Sequence, residues 1–222
     1  MSVKLVSYSQ PVDTEDLLLS EPLDLVAYCA KVSNPANQDK MDTAPKLIKY
    51  LIDNNHWSPF EMVSVCMEIT TTRDIARQIL RHRSFSFQEF SQRYADPAAL
   101  GEQYVVREAR LQDTKNRQNS IETDDVALQA AWQYAQNRVY DEAEKAYNWA
   151  IEAGIAKEQA RAVLPEGNTK SRLYMNGTLR SWIHFVQLRS ANGTQKEHQE
   201  IAIKAGEIIK DLYGIDISSL HS

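Results

Sequence analysis

The feature that most constrains the fold is a strict alternation of apolar and polar side chains between residues 62 and 70. Four apolar residues alternate there with four polar ones: Val63, Val65, Met67 and Ile69 with Ser64, Cys66, Glu68 and Thr70. A period of two residues is typical of a strand that buries one face. The sequence therefore predicts a strand over residues 62–70.

A helix is predicted to begin directly after this strand, near residues 71–72, with Asp74 in its first turn. Arginines at positions 73, 77 and 81 are spaced four apart, so they would form one stripe along the helix. Arg81 would then lie at the C-terminal end of the helix. Because like charges on one stripe destabilise a helix, the stripe indicates bound acceptors or acidic neighbours.

Helices dominate the remaining pattern. They are predicted at residues 23–31, 44–54, 123–153, 156–164, 178–190 and 195–212. Strands are few: one at 171–176, and one at 3–9 whose apolar residues of both parities permit burial on both faces. Residues 95–122 are polar and are predicted to be an irregular loop, which at this length is usually functional or mobile.

The fold class that follows is α+β, with helices dominating and strands scattered. The sequence contains no internal repeat and no linker that would divide it. We therefore expect residues 1–222 to form a single domain, which a chain of this length can stabilise with its own core.

The composition restricts the class of partner. The chain carries a net charge of −5, which argues against a nucleic-acid polymer as partner. No apolar stretch approaches the roughly 20 residues of a membrane span, and the first residues carry no apolar run typical of a signal peptide. Two cysteines form neither a disulfide framework nor a metal ligand set, so a reduced, cytoplasmic setting is expected.

Several common sites are missing from the sequence. Neither glycine-rich nucleotide loop occurs, so any nucleotide must be held by side chains. Nothing resembles a zinc motif, and His56 has no metal-ligand spacing, so no metal is predicted. Ser91 has no general base at an evident spacing, which favours hydrogen bonding to an anion over nucleophilic attack.

A cationic segment at residues 81–94 interrupts this acidic chain. Three guanidiniums, one imidazole and one carboxylate fall within it: Arg81, Arg83, Arg93, His82 and Glu89. One interpretation is a solvated, salt-bridged loop. However, three phenylalanines at positions 85, 87 and 90 indicate a partly buried segment. Since buried arginines need partners, and their fork of donors suits phosphate and planar carbonyl groups, a bound anion is the better interpretation.

Three further arginines each have two interpretations. Arg161 lies one turn before Pro165, where the dipole of a helix end favours a cation without any ligand. Arg180 and Arg189 flank Trp182 on a predicted helix and form either a solvated face or part of a binding site.

The segment also carries a family resemblance. Arg81-His82-Arg83, seven further residues, Ser91 and then Arg93-Tyr94 resemble the signature of the flavin-dependent thymidylate synthases. Other segments resemble the same family in the same order: Ala30 to Ser33, His56 to Glu61, Arg77-Gln78, Arg110 to Ser120, Ala160 to Pro165, and Leu188-Arg189 followed by Gln195.

The resemblance implies a specific reaction and assembly. Such enzymes methylate dUMP to dTMP with methylenetetrahydrofolate as carbon donor and NADPH as reductant through FAD. They are helix-rich domains around a small antiparallel sheet, and they form homotetramers with active sites at subunit junctions.

It also implies roles for individual residues. FAD would be held by Ser58, Arg81, His82, Arg83, Glu89, Thr178, Leu179, Arg180 and His184. dUMP would be held by Gln78, Arg81, Glu89, Ser91, Gln92, Arg93, Arg161 and Arg189. Arg189 is the implied catalytic residue, because a guanidinium beside the uracil ring stabilises the anion that forms there.

Two rival functions remain open at this point. One is a binding module that senses nucleotides or RNA loops with arginines and aromatic side chains, against which the acidic balance weighs. The other is a different flavin or folate enzyme that uses dUMP-like pyrimidines without methylating them. Bound flavin would exclude the first, and product analysis would exclude the second.

Overall fold

A computed structural model describes residues 1–12, 19–101, 103–217 and 220 of the chain. A four-stranded antiparallel sheet has the order β1-β2-β6-β3, formed by β1 (Ser2–Tyr8), β2 (Ser64–Thr72), β3 (Ser86–Glu89) and β6 (Lys170–Thr178). A separate hairpin pairs β4 (Arg110–Gln112) with β5 (Ser120–Glu122).

The helices are α1 (Pro22–Ala30), α2 (Ala44–Asp53), α3 (Arg73–Ile79), α4 (Val126–Glu152), α5 (Lys157–Ala160), α6 (Leu179–Ser190) and α7 (Lys196–Tyr213). Short 3-10 turns include Ser58–Met62 and Arg161–Val163. The predicted α+β class, helix-rich around a small antiparallel sheet, is confirmed. Within the described part of the chain, no helix is both long and apolar enough to cross a lipid bilayer.

The predicted strand over residues 62–70 is confirmed as β2, and its apolar face is the centre of the core. Val65, Met67 and Ile69 have no exposed surface. They belong to one hydrophobic cluster with α1, α2, α6 and α7. Trp182 of α6 is also fully buried, and its indole Nε1 donates to the Val65 carbonyl at 2.9 Å. This bond satisfies the one polar group that burial of a tryptophan brings into the core.

The strand predicted at residues 3–9 is confirmed as β1, but the burial on both faces that its apolar residues permit is not observed. β1 is an edge strand whose central residues, Lys4–Ser7, are exposed, so it is not buried on both faces. Its register against β2 shifts between Leu5 and Ser7, as at a β-bulge. A bulge that disturbs an exposed edge also limits its pairing with other chains.

Three other predictions need correction. Residues 95–122 are not wholly irregular, because they contain the β4–β5 hairpin. β3 lies inside the arginine-rich segment, where four residues between charges are too few to show alternation. The helix predicted at 156–164 is shorter: α5 ends at Ala160 and continues as a 3-10 turn. Pro165 follows that turn, and the residue before a proline is disfavoured in helical conformation.

The arginine stripe of α3 is split by its surroundings. Glu166 accepts from Arg73 Nε at 3.2 Å and from Arg77 Nε at 3.0 Å, so acidic neighbours neutralise two of the three cations. α3 ends at Ile79, and therefore Arg81 lies just beyond the helix, not on its last turn.

The arginine-rich segment is anchored to the sheet through Phe85 and Gly177. Phe85 is 9% exposed and packs edge-on against Trp182, with ring centroids 4.9 Å apart. A Cβ placed on Gly177 would lie 2.4 Å from Phe85 Cδ1. β6 therefore carries a glycine here because the ring occupies the space that a side chain would need.

We predict that Gly177→Ala lowers the free energy of unfolding by about 1–3 kcal/mol, because overpacking a tight core displaces the ring. The measurement is denaturant unfolding at one fixed protein concentration. Gly167→Ala is the matched control, because a Cβ at Gly167 meets nothing within 4 Å. Equal stability of the two variants would contradict the proposed anchor.

Candidate active site

The ends of α3 and α6 meet at a hydrogen bond between two predicted site residues. Arg189 is in the last turn of α6, and its Nε donates to His82 Nε2 at 2.9 Å. His82 follows α3 and packs edge-on against Phe185, with ring centroids 5.0 Å apart. An imidazole nitrogen that accepts a hydrogen bond cannot carry a proton, so His82 is neutral with its proton on Nδ1.

The electrostatics of this pair agree with its hydrogen bonding. Burial, followed by the charges of Arg189 and Arg81, lowers the pKa of His82 from 6.5 to about 4. Burial and the charge of Arg81 also lower the pKa of Arg189. A neutral acceptor orients the guanidinium and leaves its positive charge uncompensated. A carboxylate would orient the guanidinium but would also neutralise its charge. The site therefore keeps a positive potential for an anion.

Gln78, a predicted dUMP residue, lies in a chain of buried and half-buried polar groups. Its Oε1 lies 3.3 Å from His198 Nδ1, and its Nε2 donates to Gln195 Oε1 at 2.8 Å. Gln195 Nε2 donates to Glu197 Oε2 at 2.9 Å, and Glu197 also accepts from Arg110 Nη2. The start of α7 and strand β4 are thus connected to the end of α3.

Sequence reasoning missed three members of this chain. Arg110, Glu197 and His198 have no spacing relative to Gln78 that would reveal contact, because 32 to 120 residues separate them. Only the packing of α7 against α3 and the hairpin brings them together.

Glu89, predicted to contact both ligands, is held by two neighbours at the end of β3. The Ser171 hydroxyl donates to Glu89 Oε1 at 2.9 Å, and Arg73 Nη1 lies 3.8 Å from the same oxygen. Arg73 is 7% exposed and Ser171 1% exposed. Such rigid partners fix the orientation of the carboxylate.

A separate group follows β3 in the chain. Arg93 Nε lies 3.6 Å from Glu158 Oε2, and Arg161 Nε donates to the Glu158 carbonyl at 3.3 Å. Ser91 Oγ accepts from the Arg93 backbone N–H at 3.4 Å. Gln92 is 3% exposed, and its Nε2 has no partner within the described ranges. A buried donor without a partner is costly, so this amide is suited to a bound acceptor.

The predicted flavin residues at the start of α6 form a third group. Thr178 is the N-cap of α6, and its hydroxyl accepts from the Ser181 N–H at 3.3 Å. Arg180 forms an ion pair with Glu61, and the His184 ring packs 4.7 Å from the Trp57 ring. Leu179 is fully buried and its N–H donates to Val63, so its side chain has no surface for a ligand.

Ser58 begins a 3-10 turn in the same region as Trp57 and Glu61, and it is exposed. Burial and the charge of Arg180 lower the pKa of His184. Both imidazoles of the predicted FAD set lie beside arginines, His82 beside Arg189 and His184 near Arg180.

The arginines divide into two classes by their partners. Seven lie within 4 Å of a carboxylate: Arg73, Arg77, Arg93, Arg107, Arg110, Arg172 and Arg180. Four predicted site residues have no carboxylate at that distance in the described part of the chain: Arg81, Arg83, Arg161 and Arg189. Uncompensated guanidiniums near buried polar groups are suited to binding phosphate or an anionic ring.

The described residues do not favour a metal site or a cysteine nucleophile. No group of three or more His, Cys, Asp or Glu side chains among residues 1–12, 19–101, 103–217 and 220 is arranged to hold a metal ion. Cys29 and Cys66 are free thiols, and burial raises the pKa of each. Neither thiol is therefore activated as a nucleophile.

The comparisons with known proteins agree with this geometry. A family model described as "Thymidylate synthase complementing protein" matches residues 16–213. The probable flavin-dependent thymidylate synthase of Paramecium bursaria Chlorella virus 1 is 48% identical over 208 residues, which are 94% of this chain and 93% of that protein. The flavin-dependent thymidylate synthase of a Synechocystis species is 48% identical over 211 residues, 94% of each chain.

A solved structure has the same fold. The UMP/dUMP methylase PolB from Streptomyces cacaoi, bound with 5-Br dUMP, superposes with a TM-score of 0.79 at 27% identity, covering 98% of this chain and 93% of that one. On the strength of the family match, the two close relatives and the arginine-rich segment at the junction of α3 and α6, this chain belongs to the flavin-dependent thymidylate synthase family.

Proposed function

We propose that the protein is an FAD-dependent thymidylate synthase that methylates dUMP to dTMP, with methylenetetrahydrofolate as carbon donor and NADPH as reductant. The observation that carries the proposal is that four predicted site arginines have no carboxylate within 4 Å among the described residues: Arg81, Arg83, Arg161 and Arg189. dUMP offers them a phosphate and two ring carbonyls. Relatives named for this activity cover almost the whole chain.

The chain fits FAD as a cofactor by the chemistry of its donors. Arg81 and Arg83 are exposed, and they are free of ion pairs throughout the described ranges. Their guanidiniums would hold the pyrophosphate, and the exposed ring of His184 beside Trp57 would contact an aromatic ring system. When bound, FAD would supply the redox chemistry that no side chain can.

Arg189 would act on the uracil ring of dUMP. His82 holds its Nε, and this leaves the terminal nitrogens of the guanidinium for the ligand. A cation held beside the ring stabilises negative charge that develops on the uracil, and so makes the carbon to be methylated electron-rich. This role replaces a cysteine adduct, which suits a chain whose two thiols have raised pKa values.

The remaining predicted residues would orient the nucleotide. Arg93 and Arg161 both contact Glu158, and Ser91 accepts from the Arg93 backbone N–H; their two guanidiniums and one hydroxyl are donors of the kind that a phosphate accepts from. Gln92 offers an unpaired buried amide N–H. Glu89, held by Ser171 and Arg73, accepts from a ring N–H or a ribose hydroxyl.

The assembly that best supports such a site is the homotetramer with shared active sites. The long helix α4 exposes large apolar side chains that a second chain can cover: Trp132, Tyr134, Val139 and Trp149. We also infer that residues 1–222 act as one domain, since one family match spans residues 16–213, and that free thiols suit a cytoplasmic location.

The first test of the proposal is flavin binding. We predict that the wild-type protein binds FAD noncovalently and that Arg83→Ala weakens FAD binding about tenfold or more, the usual effect of losing a charge-assisted hydrogen bond. Absorbance and fluorescence titrations with FAD measure both affinities. Lys46→Ala is the matched control, because Lys46 is an exposed cation on α2, away from the arginine-rich segment and from the exposed apolar side chains of α4.

A wild-type protein that neither shifts nor quenches FAD would refute the enzyme proposal. An equal loss of affinity in the Lys46 variant would show that net charge, and not Arg83, controls FAD binding.

The second test separates two roles in the reaction. We predict that Arg189→Ala retains FAD but loses about 2.7–4 kcal/mol of transition-state stabilisation, as when an oxyanion donor is removed. Ser91→Ala should cost about 1.5–3 kcal/mol, mainly in dUMP affinity, because it removes a hydrogen bond to a charged group. The measurement is single-turnover conversion of saturating dUMP to dTMP with the flavin reduced beforehand. An inactive Ser91 variant beside a nearly normal Arg189 variant would reverse these assignments.

A further inference from the structure

We infer that His198 is a positioning residue that sets the orientation of the Gln78 side-chain amide, and that it does so as one end of the polar chain that runs to Glu197. The inference rests on the proposed function and on the dUMP contact that the family resemblance implies for Gln78. Neither the arginine-rich signature nor the segments that resemble the family include His198.

The direction of the hydrogen bonds along this polar chain, from donor to acceptor, follows from the carboxylate of Glu197 at its end. Ionised Glu197 only accepts hydrogen bonds, so Gln195 must present its Nε2 to it, at 2.9 Å. Gln195 then presents Oε1 to Gln78, which must donate from its own Nε2, at 2.8 Å. The Oε1 of Gln78 therefore faces His198, and His198 must donate from Nδ1 across 3.3 Å.

Arg110 stabilises this direction of hydrogen bonding from His198 to Glu197. Its guanidinium forms an ion pair with Glu197 Oε1, and the Glu197 side chain is only 9% exposed, so this end of the chain is an acceptor held in place by a cation. Each amide in the chain can otherwise rotate by half a turn and exchange its donor and acceptor. A charged acceptor at one end removes that freedom from every member.

The protonation of His198 fits the same direction. The ring has no exposed surface, and burial, followed by the nearby charges of Arg189 and Arg81, lowers its pKa to about 3. A neutral imidazole has one N–H, and the chain requires it on Nδ1. Nε2 is then a bare acceptor, and it has no hydrogen-bond partner in the described part of the protein.

This unpaired nitrogen argues against a purely structural role. Burying a polar atom without a partner destabilises a fold, so a hydrophobic side chain would serve packing better at this position. Among the described residues, the one hydrogen bond that the ring makes is to Gln78. The protein therefore keeps an imidazole buried here because the ring fixes the side-chain amide of Gln78. The remaining N–H and lone pair of that amide are then presented to the nucleotide in one arrangement.

The experiment compares two replacements of His198 in the FAD-loaded protein. His198→Asn keeps an N–H donor close to the position of Nδ1, whereas His198→Phe keeps a ring of similar shape without a donor. dUMP affinity is measured by calorimetry, and the KM for dUMP and kcat are measured by dTMP formation. FAD affinity is measured in parallel as a report on the rest of the site.

We expect His198→Phe to weaken dUMP binding and raise the KM about tenfold, with kcat and FAD affinity changed by less than about threefold, as for one lost hydrogen bond. His198→Asn should stay within about threefold of wild type in all four quantities. Wild-type affinity in the Phe variant, or an Asn variant as weak as the Phe variant, would overturn the inference.

Two further variants keep the test decisive. Gln195→Leu breaks the chain at a half-buried position without touching His198, so it should weaken dUMP binding like His198→Phe even where the Phe variant fails to fold. Tyr213→Phe is the matched control on α7, because it removes a buried hydroxyl that has no partner among the described residues. Normal dUMP affinity in the Gln195 variant would overturn the inference, and so would an affinity loss in the Tyr213 variant equal to that of His198→Phe.

A failure of the proposed function gives a different result. In that case the wild-type protein itself would neither bind dUMP nor form dTMP, and no comparison among variants would arise.

Discussion

The antiparallel pairing of β2 with β6 positions the site, because each strand runs directly into a helix. The C-terminal end of each helix lies next to a predicted site residue, His82 after α3 and Arg189 in the last turn of α6. The pairing aligns Ser64 with Thr178 and Thr72 with Lys170, so α3 and α6 begin at opposite ends of the strand pair. α3 has seven residues and α6 has twelve, about 10 Å and about 18 Å in length, and together they span the roughly 30 Å of nine paired residues. Their C-terminal ends therefore meet, and the bond from Arg189 to His82 marks that meeting point.

The C-terminus of a helix is the negative end of its dipole, so the place where two C-termini meet favours cations. The protein places Arg81, Arg83 and Arg189 there and supplies neutral imidazoles as their neighbours. Elsewhere it pairs arginines with carboxylates, as with Arg73 and Arg77 at Glu166. This division separates arginines that stabilise the fold from those whose charge remains available for an anionic nucleotide.

The sequence predicted those parts of the fold that local patterns determine. The alternation over residues 62–70 is β2, and the predicted ends of α6 and α7 differ from the observed ones by one residue. β3 and the β4–β5 hairpin were not predicted, since strands of three or four residues are too short to show a period. Which arginine has an acidic partner was also not predictable, because Glu166 lies 93 and 89 residues from Arg73 and Arg77. For the same reason, the direction of the chain from His198 to Glu197 became visible only in three dimensions.

The central claim is that uncompensated guanidiniums hold the phosphate of a pyrimidine nucleotide. The most direct measurement is calorimetric titration of the FAD-loaded protein with dUMP and with deoxyuridine, each at low and at high salt. The account predicts that deoxyuridine, which lacks the phosphate, binds at least about a hundredfold more weakly, since two or more charge-assisted hydrogen bonds are lost. It also predicts that salt weakens dUMP binding more than deoxyuridine binding. Equal affinity for the nucleoside and the nucleotide at both salt concentrations would contradict it.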